Sequence, residues 1–365
     1  MIGAIKRAWA NFRGFDLTGS TVPPMDGPLR PNAKLDGFPV LLKLDDVDNL
    51  TAAGGRILCS VGADLLTLSE DGSAQGLSVA STETLGGTIT AIAASGDLVA
   101  VAIEGEGIRL EGQGPARLLE AGRRNRACVT ALAFADSGTL FVAVGSDRHP
   151  AREWKRDLMT KTAAGSVWRV DLDTGAAVEI ASGLAFPAGI AVSGGRVFVS
   201  EAWRHRVVAM GADGSGRRTV LDRLPAYPGR IVPAAGGGFW LAMFAPRNPL
   251  VEFVLKEDAY RERMIGTIEP DYWIAPSLVT GRSFLEPIQG GARKKLNMLK
   301  PWSPTWSTGL VVRCGDDMAM LRSYQSRADG EVHGVTSICE TGGRLLAGAK
   351  GSGRIVAIDE PAETT

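Results

Sequence analysis

Short apolar runs, separated by glycine-bearing turns, recur along the whole chain. Runs such as LVAVAI (98–103) and RVFVS (196–200) are rich in β-branched residues and almost uninterrupted in apolar character. They fit strands buried on both faces. Each run leads through a short break to a second run, then to an acidic or glycine turn. The copies read GGRILCSVGADLLTLSEDGS from Gly54, SGDLVAVAIEGEGIRLEGQG from Ser95, and SGTLFVAVGS from Ser137, resuming at GSVWRVDLDTG from Gly165. They continue with GGRVFVSEAWRHRVVAMGADGS from Gly194, GGGFWLAMFAP from Gly236 and GGRLLAGAKGSGRIVAIDE from Gly342. The regular intervals are about 40 residues, the length of one four-stranded propeller blade. Each copy supplies two middle strands of a blade. Segments such as Ile89–Ala94, Val129–Ala135 and Ala188–Val192 supply further strands.

The pattern predicts an all-β, six-bladed β-propeller over 38–365, preceded by an N-terminal segment, 1–37. The early run PVLLKL (39–44) is expected to help close the ring, since closure protects sheet edges. Two intervals are longer than the repeat. In blade three, DRHPAREWKRDLMTKTAAG (147–165) is polar and compatible with a helix. In blade five, an insertion of about 254–304 includes LKEDAYRERMIG, which reads as a helix, and an irregular remainder. LVVRCGD and MAMLRSYQS then supply that blade's outer strands. Long insertions of this kind often form lids or binding loops.

Composition narrows the function classes. With 46 glycines and 6% aromatic residues in 365, the chain suits many strands joined by tight turns. Forty basic and forty acidic side chains cancel, so there is no electrostatic footprint for nucleic acid. Cys59, Cys128, Cys314 and Cys339 have no CxxC spacing and are read as buried free thiols of a reducing compartment. No secretory signal or transmembrane span is visible, which predicts a cytoplasmic protein. Met1–Phe15 fits a basic amphipathic helix, with Ile5, Trp9 and Phe12 on one side. It is expected to pack on the body or to make a weak membrane-surface contact. No GxSxG elbow, Walker A loop, HExxH or dinucleotide fingerprint is present.

Four stretches carry a family likeness: SDRHPAREWKRDLM, GLAFPAGIAVSGGRVFVSEAWRHRVVAM, LPAYPGRIVPAAGGGFWLAM and VTSICETGGRLLAGAKGSGRIVAID. In this order they resemble the strictosidine-synthase-like family, from about Asp46 to Asp359 apart from the fifth-blade insertion. That family is similar in fold to paraoxonases and gluconolactonase-like proteins. The resemblance implies two known chemistries, amine–aldehyde condensation and metal-dependent ester or lactone hydrolysis. Hydrolytic relatives hold a divalent cation, usually calcium, at the propeller axis on a Glu and several Asn or Asp residues. The matching positions here are Asp48, Thr130, Ala131, Ala188, Gly229 and Arg230. One carboxylate and a hydroxyl do not make the oxygen cage that a hard cation needs. The catalytic Glu of the condensing enzyme falls at Thr336, whose hydroxyl does not shuttle protons near neutral pH.

The expected site therefore has no metal and no cofactor. Arg230 is expected to take the vacated cation position and pair with Asp48 across the axis. His333 is the candidate general base, with Glu331 near it in sequence. Asp48 and Glu201 are candidate acid or orienting groups, Glu201 being also a plausible partner for Arg204 or Arg206. Arg230 is the candidate stabiliser of developing negative charge. His149, Trp154, Thr130, Thr336 and Trp306 are expected to contact substrate, with Trp273 and Trp302 in the covering insertion. His205 fits a structural turn. The chain reads as a metal-independent hydrolase or lyase acting on a small ester, lactone or amine-derived compound held in an axial pocket. The alternatives are a non-catalytic propeller that binds a small ligand or a partner protein, and a calcium-dependent lactonase.

Overall fold

The computed structural model describes residues 22–70, 76–112, 114–119, 126–283, 285–287, 294–295, 298–299, 306–328 and 330–359. The expected helix at Met1–Phe15 and Trp302 lie outside them.

Six four-stranded antiparallel sheets form the blades of the propeller. Their first strands are Val47–Ala53, Ile89–Ser95, Val129–Phe134, Pro187–Ser193, Ala226–Pro233 and Val335–Thr341. Each first strand touches those of the neighbouring blades, so together they line the axis. Closure follows the sequence expectation. Val40–Lys43 pairs with Arg354–Ile358 and completes the last sheet from the opposite end of the chain.

The continuous apolar runs are explained by the stacking of blades. A separate apolar cluster fills each of the six junctions between neighbouring blades. Between blades two and three, Ala100, Ala102 and Ile108 face Val129, Leu140 and Val142, all buried. Full burial of a Val, Leu or Ile side chain contributes about 1.5–3 kcal/mol. Each blade gives one face to each of its two junctions, as Ala100 and Ala102 face blade three while Val99 and Val101 face blade one, which is why polar alternation is missing from the sequence. The segment before the first strand docks on the edge of blade five. There the Asn32 side chain accepts from Gln325 N at 3.0 Å and donates to the Ser323 carbonyl at 3.2 Å.

A local irregularity recurs at the same place in every blade. The register of each first strand shifts near its start: between Asp48 and Thr51, Ile89 and Ala91, Val129 and Ala131, Pro187 and Gly189, Tyr227 and Ile231, and Val335 and Ser337. A bulge inserts an unpaired residue and re-aims its side chain. The six bulges form a ring around the axis that contains Asn49, Thr90, Thr130, Ala188, Arg230 and Thr336.

Both insertions cover the end of the axis where the first strands begin. In blade three, a 3-10 turn at Ala151–Glu153 leads into a helix, Trp154–Thr160. In blade five the excursion is longer than the sequence suggests, leaving the sheet after Pro246 and returning at Leu310. The additional helix is Pro249–Val254, started by Pro249 and capped by the Asn248 side chain, which accepts from Leu250 N. Helix Asp258–Thr267 falls where LKEDAYRERMIG predicts it. The cap has its own apolar core, including Leu158, Met159, Phe186, Tyr227, Phe244, Met264 and Trp273. The Trp203 indole stacks on Phe186 and donates to Asp157 Oδ1 at 2.8 Å, tying blade four to the cap. Among the described residues no helix is long and apolar enough to cross a membrane.

Candidate functional site

The ring of bulges brings charged groups together at the axis. Asp48 is half-buried, and its Oδ1 accepts from Asn49 N and from the Thr336 hydroxyl, each at 2.8 Å. Its Oδ2 lies 3.2 Å from the Lys350 ammonium, which also reaches Asp46 Oδ1 at 3.4 Å. Thr336 is therefore at the axis beside Asp48, as the family likeness implies. Lys350 comes from the glycine-flanked turn AGAKGSGR between the last two strands of blade six. Sequence reasoning missed it. The signal was a lysine set among glycine and alanine at the turn.

Arg230 does not pair directly with Asp48, and here the structure corrects the sequence expectation. Its Nη2 donates to Asn49 Oδ1 at 2.5 Å and to the Thr90 carbonyl at 3.0 Å. The guanidinium thus reaches from blade five to blades one and two and forms a bar across the axis. Asn49 can receive it because its backbone is left-handed, with φ 56°, and its amide donates to Ser60 Oγ at 2.8 Å and to the Ile89 carbonyl at 3.2 Å. Asn is among the few residues that adopt this conformation readily. The bar also depends on Gly189. A Cβ there would come within 2.2 Å of the Gly229 carbonyl and 2.9 Å of Arg230 Cα.

The charges are mutually adjusted. Burial pushes the Asp48 carboxyl up, but Lys350, Arg230 and the bonds from Asn49 and Thr336 outweigh it and hold it below the usual value of 3.8. Asp48 raises the Lys350 ammonium above 10.5 against the opposing effect of burial, with Asp46 adding to the rise. Burial lowers the Arg230 guanidinium below its ordinary range, and Asp48 partly offsets that.

A divalent cation does not fit this arrangement. It would stand beside two fixed positive groups, with the carboxylates of Asp48 and Asp46 both already engaged by Lys350. The Thr130 hydroxyl is committed to the carbonyls of Pro187 and Ala143. Among the described residues no three His, Cys, Asp or Glu side chains converge as a metal site.

The other sequence candidates fall outside this centre. Glu201 is fully buried and does not face a pocket: it accepts from Ala185 N at 2.9 Å, from Arg204 at 2.8 Å, and from Arg206. It fastens the EAWRHR turn to the preceding loop. His205 ends that turn with φ 49°, and burial first, then Arg247, pushes its imidazole down to about 3. His333 is half-buried, with Nδ1 3.2 Å from the Gly330 carbonyl; burial is the main cause of its lowered pKa. It sits at the same mouth but makes no bond to Asp48, Arg230 or Glu201. Glu331 turns away to pair with Arg354. His149 lies at the rim, with Nε2 3.3 Å from Thr160 Oγ1 and Nδ1 3.7 Å from Glu153. Trp154 belongs to the cap, edge-on to Phe244. Trp306 packs closely over Gly281 in the fifth-blade insertion.

Two cavities flank the axis. One of about 490 Å³ lies between the two insertions, walled by Trp154, Lys155, Tyr272, Trp273, Pro276 and Leu278 among others. The other, about 240 Å³, opens further along the first strands. Its lining mixes apolar side chains, including Leu50, Ile92, Leu132, Ile190 and Ile338, with Thr51, Ser337 and Arg230, which is the one cation among them.

Comparison with known proteins agrees with the architecture. Residues 130–209 match the strictosidine synthase family. Over 120 residues the chain is 32% identical to the adipocyte plasma membrane-associated proteins of Danio rerio and Salmo salar. That stretch is 31% of this chain and 29% of each relative, so the match spans less than a third of their length. Among solved structures, regucalcin from Agrobacterium tumefaciens, described as a calcium-binding protein, superposes with a TM-score of 0.53 at 15% identity over 85% of both chains. A gluconolactonase from Xanthomonas campestris gives 0.51 at 14% identity, over 87% of this chain and 86% of its own. At such identities the likeness is one of fold. With its ring closed by the N-terminal strand, the chain is a six-bladed β-propeller that is similar across blades three and four to the strictosidine synthase family.

Proposed function

We propose that this chain is a small-molecule hydrolase that works at the propeller axis without a divalent cation, on an ester or lactone. The observation that carries the reading is the axial centre itself: a carboxylate flanked by two fixed cations in place of an ion cage. Asp48 takes a proton from water as the water attacks the carbonyl carbon. Lys350 and Arg230 supply positive charge for the oxyanion that develops, the task a bound cation performs in metal-dependent hydrolases. The proton passes back to the leaving alkoxide. Thr336 holds the Asp48 carboxylate in place. The solved gluconolactonase with the same fold supports the choice of substrate class.

The test is a panel of aryl esters and γ- and δ-lactones, assayed in chelator-containing buffer with wild type, Asp48→Asn and Lys350→Met. Turnover that survives chelator and falls about a hundredfold or more in both variants is the expected result, in line with loss of a general base or an oxyanion partner. Turnover that requires calcium, or none across the panel, overturns the reading.

A second reading is binding without turnover. The depressed Asp48 carboxyl favours it, because a weak base is a poor proton acceptor. Saturable ligand-induced stabilisation by a lactone that is not consumed distinguishes it.

A further inference from the structure

The cavity of about 490 Å³ is separate from the axial centre and has its own polar anchor. One wall is the helix Trp154–Thr160. The other comes from the fifth-blade insertion, which lies outside the stretch that matches the family. Loop residue Leu278 sits between cavity and axis, its carbonyl packed against Gly334 and Gly351.

Lys155 lines this cavity, with only 17% of its side chain exposed. Its ammonium carries three N–H donors. Among the described residues it makes one long hydrogen bond, 3.4 Å to the Pro270 carbonyl. The nearest carboxylate, Asp271, stands 3.9 Å away and is itself 92% exposed. Glu286, across the cavity, turns its carboxylate into its own loop, accepting from the backbone N–H groups of Gly281, Arg282 and Ser283. Burial lowers the Lys155 pKa, although Asp271 and Glu286 oppose the shift. A mostly desolvated ammonium with spare donors gains most from an anion that enters the same space. The surrounding surface is partly aromatic, and Arg152, Arg156 and Arg282 also line it, all of them more exposed than Lys155. Trp154 lies 5.8 Å from the ammonium, and Trp273 is fixed by donating from Nε1 to the Ile268 carbonyl at 2.8 Å. The volume falls in the range of small-molecule sites, and the lining is mixed, with Arg156, Arg282 and Glu286 facing the same space as the aromatic rings.

We propose that this cavity binds a small aromatic monocarboxylate, its carboxylate on Lys155 and its ring against Trp154, Tyr272 and Trp273. This site does not depend on hydrolysis at the axis.

The experiment is titration of the full chain by calorimetry and tryptophan fluorescence, with 2-naphthoate as probe and 2-naphthamide as its neutral counterpart. Saturable binding of the acid, at least about tenfold tighter than the amide, is expected for one charge-assisted bond. Lys155→Met loses about the same factor, Lys155→Arg keeps most of the affinity, and Asp271→Asn tightens binding by removing the competing carboxylate. Asp48→Asn leaves it unchanged. Equal affinity for acid and amide, no saturable binding of the acid, undiminished binding by Lys155→Met, or loss of binding in Asp48→Asn each overturns the proposal. Should Lys155→Met fail to fold by circular dichroism, the acid–amide comparison on wild type decides alone.

Discussion

Replacing Lys350 by Met tests whether the axial charges form one coupled unit. The change keeps most of the aliphatic stem and removes the ammonium 3.2 Å from Asp48 Oδ2. Breaking a fully buried pair costs about 3–5 kcal/mol, whereas an exposed pair contributes at most about 1 kcal/mol. With side chains 19% and 31% exposed, this pair lies between those limits. The Asn49 N–H and the Thr336 hydroxyl remain to hold the carboxylate, so a loss of about 2 kcal/mol at pH 7 is expected. The assay is urea unfolding of wild type, Lys350→Met, Asp48→Asn and the double variant, with the coupling energy taken from the cycle. The pH dependence has a definite sign. The folded Asp48 carboxyl lies below 3.8, so its contribution is complete above the unfolded value and fades as pH falls through the folded one. Lys350 lies above 10.5 in the folded state, so its contribution is complete below the unfolded value and is lost as pH rises through the folded one. The coupling should therefore form a plateau from about pH 5 to pH 10 and decay on both sides. A coupling energy under about 0.5 kcal/mol at pH 7, or one that persists unchanged at pH 2.5, refutes the reasoning.

Four further outcomes follow from the geometry. Thermal melts with calcium and with chelator should coincide, because the axis presents two cations and carboxylates already engaged by Lys350; a chelator-induced fall in Tm contradicts that donor chemistry. Glu201→Ala should cost about 2–4 kcal/mol in chemical unfolding, since it removes a fully buried carboxylate and strands a backbone N–H and two arginines. Gly189→Ala should destabilise by at least about 2 kcal/mol by driving a methyl into the Gly229 carbonyl and shifting Arg230, read by the same unfolding assay. All four cysteines are buried, and burial is the leading cause that pushes each thiol up to about 12, so a thiol reagent should react at the rate of global unfolding; fast labelling of the native protein contradicts this.

The propeller was legible because its stabilising interactions repeat. Each blade junction needs apolar residues on both faces, and that demand leaves a mark such as LVAVAI at regular spacing. Ring closure by Val40–Lys43 was legible from a strand with no other partner in sequence. The start of the fifth-blade insertion was not: PLVEFV is apolar enough to pass for strand, and only the Asn-Pro start marks a helix. The site was legible in its positions and not in its bonds. The likeness to the family brings Asp48, Thr130, Arg230 and Thr336 to the axis, yet partner choice depends on bulge geometry that no spacing rule encodes. Asn49 takes the guanidinium intended for Asp48 because the bulge turns it inward, and Lys350 arrives from a different strand pair.

That exchange changes what the centre responds to. A calcium ion held by carboxylates and amides ties stability, and the charge at the axis, to the free concentration of the ion. Lys350 and Arg230 are covalently part of the chain, so their charge at the axis is independent of that concentration. What remains variable is the protonation of Asp48 and Lys350, whose folded pKa values move apart, one below 3.8 and the other above 10.5. Throughout the neutral range both are fully charged, and neither responds to small changes of pH. The arrangement therefore presents a fixed electrostatic field to whatever ligand reaches the axis. A field of that kind favours an oxyanion over a neutral carbonyl at every neutral pH. The pH profile of turnover should accordingly be flat from about pH 5 to pH 9. A bell centred near pH 6–7 would instead assign the chemistry to a histidine, with His333 at the same mouth as the one to mutate.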